Sequence, residues 1–391
     1  MTTVEIDKRV RTVRVLAEVE ELKDFWASCP THRDADFDFY LFYLRNSPEV
    51  VRPHVIVLYR DGRPHAMLVG RLEKRGVDIR FGYIRLIRLR LRALTFMYGG
   101  VLGDISLAAD AKDIISCIEE SLRAGEADAA FLEYLPVDSP LYNWARSLPN
   151  PARVNQFAES CIHRIRTLAN GKSFLQSLSS NQRRNQKRRV RRLAESFGDR
   201  VRIEYFQDAS ALQRLMEHAE SIAEKSYQRG LGVGFANTPE MRKRLELEAQ
   251  KKWLRAHILY LNDQPCSFWI CSCYNGTLYS DFMGFDREYR KYEPGMYLVV
   301  NVIEEISRAD GNQGAARIDF GIGDSEWKSI LGNQSWREES VCIFAPTATA
   351  IGVNSLQTLV AAIERAGRAI LRRSNLLPRI KRAWRSRIAR G

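Results

Sequence analysis

The stretch Gly284-Phe-Asp-Arg-Glu-Tyr-Arg-Lys-Tyr-Glu-Pro-Gly-Met-Tyr-Leu298 reads as the end of a strand, a basic turn and the start of a helix. Pro294 suits a first helical turn, where its missing N–H costs nothing. Gly295 lets another backbone approach closely. The N–H groups of that first turn, with Arg290 and Lys291 beside them, make a place for a phosphate or pyrophosphate. On the local pattern alone, a plain strand-to-helix turn with solvated charges is the other reading.

Working outward, the second half reads as a helix over 174–197, a strand over 201–206 and helices over 211–226 and 239–254. A strand over 256–261 turns at Asn262-Asp263 into 265–274, and Asn275-Gly276 turns that into 277–285. A helix over 294–309, a strand over 316–320, a helix over 325–331 and a strand over 338–344 follow. The first half shows the same order. A strand (10–16), helices (19–28, 37–45) and a hairpin at Asp61-Gly62 (54–59, 64–71) lead to a turn at Gly76 into 77–81. Then come a helix (113–123), a strand (129–135), a helix (139–148) and a strand (161–168). Two such runs predict an α/β fold with mixed sheets, as two tandem lobes over 1–170 and 171–346. A basic helical tail over 347–391 completes the chain.

The 391 residues are 45% hydrophobic and 27% charged, ordinary globular values that exclude a mostly disordered chain or a small disulfide-stapled scaffold. The net charge is +13, but it is local. Residues 354–391 carry ten Lys/Arg and one acid, and 183–192 carry seven Lys/Arg and none. The remainder is near neutral, which argues against dedicated nucleic-acid binding. The seven cysteines lack CxxC spacing, and the six histidines form no HxxxH or HExxH pair, so no metal site is expected. The N-terminus lacks an apolar signal-peptide core and no window suits a membrane span, so a cytoplasmic location is the expectation.

Four further motifs stand out. In Ile318-Asp-Phe-Gly-Ile-Gly-Asp-Ser-Glu-Trp-Lys328, Asp319 interrupts an apolar strand and glycines punctuate its end, where such sheets commonly hold ligands. In Tyr227-Gln-Arg-Gly-Leu-Gly-Val-Gly-Phe235, alternate glycines mark a bent loop or a close approach to a ligand. The run 181–192 places its cations on one helix, with Val190, Leu193 and Phe197 on the packed face. That leaves a solvated or anion-facing surface. Leu377, Ile380, Trp384 and Ile388 amid arginines read as a basic amphipathic helix.

Taken together, residues 172–335 resemble the GNAT superfamily, in particular its CelD-like branch, linked to cellulose and exopolysaccharide biosynthesis and related to Fem-type aminoacyl transferases. The resemblance rests on Ser180-x-x-Arg183-x-x-x-Lys187-Arg188-x-x-Arg191-Arg192, Tyr227-Gln228, Gly284-Phe285-Asp286, Pro294-Gly295, Asp319-Phe320-Gly321-x-Gly323-Asp324 and Lys328. Trp327 stands where that branch usually has Tyr. The first half looks like a degenerate second GNAT unit. The resemblance implies an acyltransferase in which acyl-CoA lies between two splayed parallel strands, 277–285 and 316–320. The pyrophosphate would sit on the turn formed by Tyr289, Arg290, Lys291, Gly295 and Met296. An amine or hydroxyl of a sugar, polysaccharide precursor or similar small acceptor would attack the thioester directly. Asp281, expected on one strand face with Tyr279 and Met283, and Asp319 are the candidate bases. Lys328 is the candidate charge stabiliser, and Tyr227 and Gln228 would line the acceptor pocket. The alternatives are Fem-like aminoacyl transfer from charged tRNA, or a catalytically inactive membrane- or nucleic-acid-associated scaffold. The tail is a candidate for peripheral attachment to an anionic membrane.

Overall fold

The computed structural model describes residues 8–81, 84–150, 153–169, 171–226, 229, 234–309, 314–323 and 325–373. The first half runs β1 (Lys8–Val13), α1 (Leu16–Glu21), α2 (Lys23–Ser28), α3 (Phe37–Asn46), β2 (Val50–Pro53), β3 (Val55–Arg60), β4 (Arg63–Phe81), β5 (Ile84–Gly103), α4 (Ala108–Arg123), β6 (Ala129–Pro136), α5 (Pro140–Arg146) and β7 (Val154–Thr167). The second runs α6 (Phe174–Ser177), α7 (Ser180–Phe197), β8 (Val201–Phe206), α8 (Leu212–Glu224), α9 (Pro239–Gln250), β9 (Leu254–Leu261), β10 (Gln264–Tyr274), β11 (Thr277–Phe285), α10 (Pro294–Arg308), β12 (Arg317–Ile322), α11 (Glu326–Leu331), β13 (Gln334–Phe344) and α12 (Ala348–Arg373). No helix among the described residues is long and apolar enough to cross a membrane.

Two compact units result: one takes the chain up to Cys161 and again from Arg337, the other takes Ile162–Trp336. In unit 1 the strand order is β1-β3-β4-β5-β6-β13, with β2 on β4. In unit 2 it is β7-β12-β11-β10-β9-β8. The sequence reading divides the chain at 170 and 346 instead. The difference comes from the last strand of each half. Ile165–Thr167 of β7 pair with β12, and Glu338–Phe344 of β13 pair with β6. Strand partners come from backbone pairing between distant segments, which local pattern does not report.

Each unit is a mixed sheet covered on both faces. In unit 2, α7 and α10 bury Leu193, Leu298, Val302 and Ile306 against Trp269 and Cys271 on one face. On the other face, α8 buries Leu215, Met216 and Ala219 against Phe268 and Ile270. Strand residues alternate between these two cores, as the period of two requires.

Three local differences from the sequence reading have clear causes. Gly76 is not a turn: β4 runs unbroken to Phe81 and pairs with β5 as far as Phe81↔Ile84. The Arg/Leu alternation of 85–92 is the period-two signal for that unanticipated strand. The short helices α1 and α2 stand in place of one helix over 19–28. The expected helix over 174–197 breaks at Leu178, because Ser179 caps α7. Its hydroxyl accepts from Gln182 N–H, and the Gln182 side chain accepts from Ser179 N–H. Ser179→Ala is expected to lower stability by about 1 kcal/mol, read by denaturant unfolding.

Candidate functional site

β11 and β12 are parallel neighbours for only three rungs, Thr277↔Arg317, Leu278↔Ile318 and Tyr279↔Asp319. Each strand then departs from regular geometry. β11 carries a bulge at Asp281, since Ser280 pairs with Cys271 and Phe282 with Ile270. β12 shifts register against β7 between Asp319 and Ile322, with Gly321 at φ 68°. The two strands pair no further, and a cleft of about 680 Å³ lies here, lined by Ser280, Asp281, Met283, Phe320, Gly323 and Lys328. Arg290, Glu293, Gly295 and Met296 line it too.

At that end α10 begins on Pro294, after Glu293 in the left-handed conformation with no side-chain cap. Tyr297 N–H is the first to bond back, to the Glu293 carbonyl, so Gly295 and Met296 carry the open N–H groups of the helix start. A Cβ added at Gly295 would meet Phe285, Met283 and Ser267 only at 3.6–3.9 Å. The protein's own packing therefore has room for a Cβ there, and its absence leaves the helix terminus bare toward the cleft. Arg290 adds an exposed cation. Glu293 does not cancel it: its carboxylate is held by Arg189 at 3.1 Å and lies 3.7 Å from Arg188. Arg192 bonds the Lys291 carbonyl at 3.0 Å. The basic run of α7 thus braces this turn on one side. Two of the expected phosphate residues do not line the cleft. Tyr289 packs toward Phe197, and Lys291 lies 4.8 Å from the Tyr292 ring centroid.

The candidate catalytic residues separate into three situations. Asp281 lines the cleft, but one oxygen is paired with Arg244 at 2.8 Å and the other accepts from Ser272 at 3.1 Å. The bulge also breaks the face expected for Tyr279, Asp281 and Met283. Tyr279 lies opposite Ser272 and Met283 opposite Trp269, on different faces of β10. Asp319 is 7% exposed, and the described lining of the cleft does not include it. Its Oδ1 lies 2.8 Å from His163 Nε2 and accepts the Gly321 N–H at 2.6 Å, which holds the left-handed turn of β12. His163, stacked on Trp336 at 4.4 Å, enters from β7, 156 positions away, and no local motif announces it.

Lys328 does line the cleft. Its Nζ donates to the Ile322 carbonyl at 2.7 Å, and Cβ atoms at Gly321 and Gly323 would stand 4.0 and 3.8 Å from it. The two glycines leave backbone close around the ammonium. Burial pushes Lys328 below the usual lysine range, against the opposing charge of Asp319. Trp327, in the place of the expected Tyr, packs edge-on to Phe320 at 5.5 Å. Ser325, unremarked in the sequence, also lines the cleft, and its buried hydroxyl has no hydrogen-bond partner among the described residues. Tyr227 and Gln228 lie outside the described residues. No cluster of three His, Cys, Asp or Glu that could hold a metal occurs among the described residues.

Unit 1 repeats the strand geometry without the cleft residues. β5 and β6 pair in parallel from Ala93↔Ala129 to Phe96↔Leu132. Two residues further on, Tyr134 at φ 50° takes the place that Gly321 takes after Asp319. Here aromatic rings gather: Tyr98 lies 4.6 Å from His32 and 6.0 Å from Tyr134. A Cβ at Gly99 would meet His32 at 2.3 Å.

Residues 180–329 match a family model described as an Acetyltransferase (GNAT) domain. Among solved structures, FemX is similar with a TM-score of 0.54 and 13% identity, over 90% of this chain and all of that one. A conserved protein of unknown function from Bacteroides thetaiotaomicron gives 0.51 and 13%, over 86% of this chain and all of that one. A tandem GNAT protein from the clavulanic acid biosynthesis pathway gives 0.50 and 11%, over 87% and 100%. No curated protein matches the sequence. Residues 180–329 thus match the model of a GNAT acetyltransferase domain, within a chain whose mixed α/β fold is similar to that of FemX and of a tandem GNAT protein.

Proposed function

We propose that the protein is an acyl-CoA-dependent acyltransferase whose single working cleft is the one between β11 and β12. The observation that carries this reading is the coincidence of two features in unit 2. Parallel strands part after three rungs, and an uncapped helix start with Arg290 stands at the same cleft. Gly295, Met296 and Arg290 would hold the pyrophosphate, and the acyl thioester would supply the activated carbonyl. An acceptor amine or hydroxyl attacks that carbonyl, the C–S bond breaks, the acceptor loses its proton and CoA leaves as the thiol. Lys328 would stabilise charge developing on the carbonyl oxygen. Asp281, already paired with Arg244, is better suited to positioning than to removing that proton, and the same holds for Asp319 through Gly321.

The acceptor proposed is a sugar or polysaccharide precursor in the cytoplasm, on the strength of the CelD-like resemblance. A second reading, aminoacyl transfer from charged tRNA, is favoured by the seven cations of 183–192, although Arg188, Arg189 and Arg192 are engaged with the α10 turn. Calorimetric titration separates the two: CoA and acetyl-CoA are expected to bind one site per chain. Absence of binding would remove the acyl-CoA reading and leave the tRNA one.

The basic segment 376–391 lies outside the described residues. We propose that it attaches the enzyme to anionic membrane, so truncation after Ser374 should reduce sedimentation with anionic vesicles. Equal binding by the truncated and full chains would refute this.

A further inference from the structure

Outside the cleft, unit 1 carries a feature that acyl transfer does not use. β4 leaves its last partner in β2 at Glu73, and β5 meets its first partner in β6 at Ala93. From Arg75↔Leu91 to Phe81↔Ile84 the two strands pair only with each other. A two-stranded ribbon alone is marginal in water. This one is supported along one face, where Val77 and Ile79 are buried and Gln357, Val360 and Ala361 of α12 share a groove with 75–80.

The opposite face is cationic. The register brings Lys74, Arg80, Arg85, Arg88, Arg90 and Arg92 together around one acid of the ribbon, Asp78. Lys74 stands directly opposite Arg92, and Arg80 opposite Arg85. Such like-charge pairs weaken a sheet, so folding alone does not account for them. Asp78 meets Arg80 at 2.8 Å and Arg88 at 3.8 Å, and Asp128 takes Arg92 at 2.9 Å. Lys74, Arg85 and Arg90 have no ion pair among the described residues. Toward its end the ribbon turns apolar. Phe81 and Ile87, which the register places on the same face as Ile79, are 42 and 45% exposed at this end. Leu86, the extra residue of a bulge between Ile79 and Arg80, is 53% exposed, so the apolar side chains flank the tip of the ribbon on both faces.

We propose that this arm docks the protein on an anionic bilayer surface, with Phe81, Leu86 and Ile87 entering the acyl-chain boundary and Arg85 and Arg90 meeting lipid phosphates. Charge complementarity alone would also suit nucleic acid. Of the three apolar residues only Phe81 has a ring on which a base can stack; Leu86 and Ile87 have none and gain from leaving water for hydrocarbon, which favours the bilayer.

The test uses the full chain and vesicles of phosphatidylglycerol with phosphatidylcholine, against phosphatidylcholine alone. Wild type is expected to sediment with the anionic vesicles. R85Q/R90Q, which breaks no ion pair, should lower the partition coefficient roughly 30-fold, from two lost arginine contributions at the lipid surface. L86S/I87S should lower it about tenfold. Both variants should keep wild-type thermal unfolding and CoA affinity, which separates this outcome from failure of the acyltransferase reading. Wild-type sedimentation by either double variant overturns the proposal. So does loss of binding by R85Q/R90Q together with undiminished binding by L86S/I87S, which would assign the arm to a soluble polyanion.

Discussion

Lys328→Ala is expected to slow acyl transfer by about 10²–10³-fold while CoA affinity changes little. The reason is location. Lys328 lines the cleft half-buried at the splay, anchored to the Ile322 carbonyl with the backbone of Gly321 and Gly323 close to it. A cation in a desolvated setting acts strongly on charge that forms only during the reaction. The pH dependence fixes the sign. Burial lowers the Lys328 pKa from its usual value, so the ammonium is lost at a lower pH than for a surface lysine. If the cation is the working form, the rate falls as pH rises through that value. Lys328→Ala should abolish this alkaline limb, and Lys328→Arg, always charged, should flatten it while retaining more activity than alanine. Rate profiles with acetyl-CoA and a fixed acceptor measure this. A rate that instead rises through the same limb would make Lys328 the base.

Gly295→Val is expected to weaken CoA binding by at least about 100-fold in calorimetry, because it sets a branched side chain over the open N–H groups at the start of α10. A Cβ alone is accommodated, since its nearest atoms are 3.6–3.9 Å away, ordinary contact distances. Valine adds two methyls at a buried position, so thermal unfolding is measured beside affinity. Gly295→Ala then serves as the graded case, with a smaller loss of affinity and near-native unfolding. Equal CoA binding by wild type and Gly295→Val would move the phosphate site elsewhere. Asp281→Asn and Asp319→Asn should leave CoA binding largely intact and slow transfer, since both act on the geometry of the cleft walls.

The turns of this protein were legible because their chemistry is local. Asp61-Gly62, Asn262-Asp263 and Asn275-Gly276 all adopt positive φ at both positions, and only a few residue types tolerate that without strain. The Pro294–Gly295 helix start and the β11 and β8 strands followed in the same way, from residues that are neighbours in the chain. Tertiary structure alone decided what depends on distant partners. The pairing of β13 with β6, and of the end of β7 with β12, came from sheet closure across more than a hundred residues. The bulge that turns Asp281 toward Arg244 depends on how β10 and α9 meet β11. His163 reaches Asp319 only once β7 lies beside β12. Conformational preference is set within a few residues, so sequence carries it openly. Burial and side-chain pairing are set by which surfaces meet, and that is a property of the folded chain.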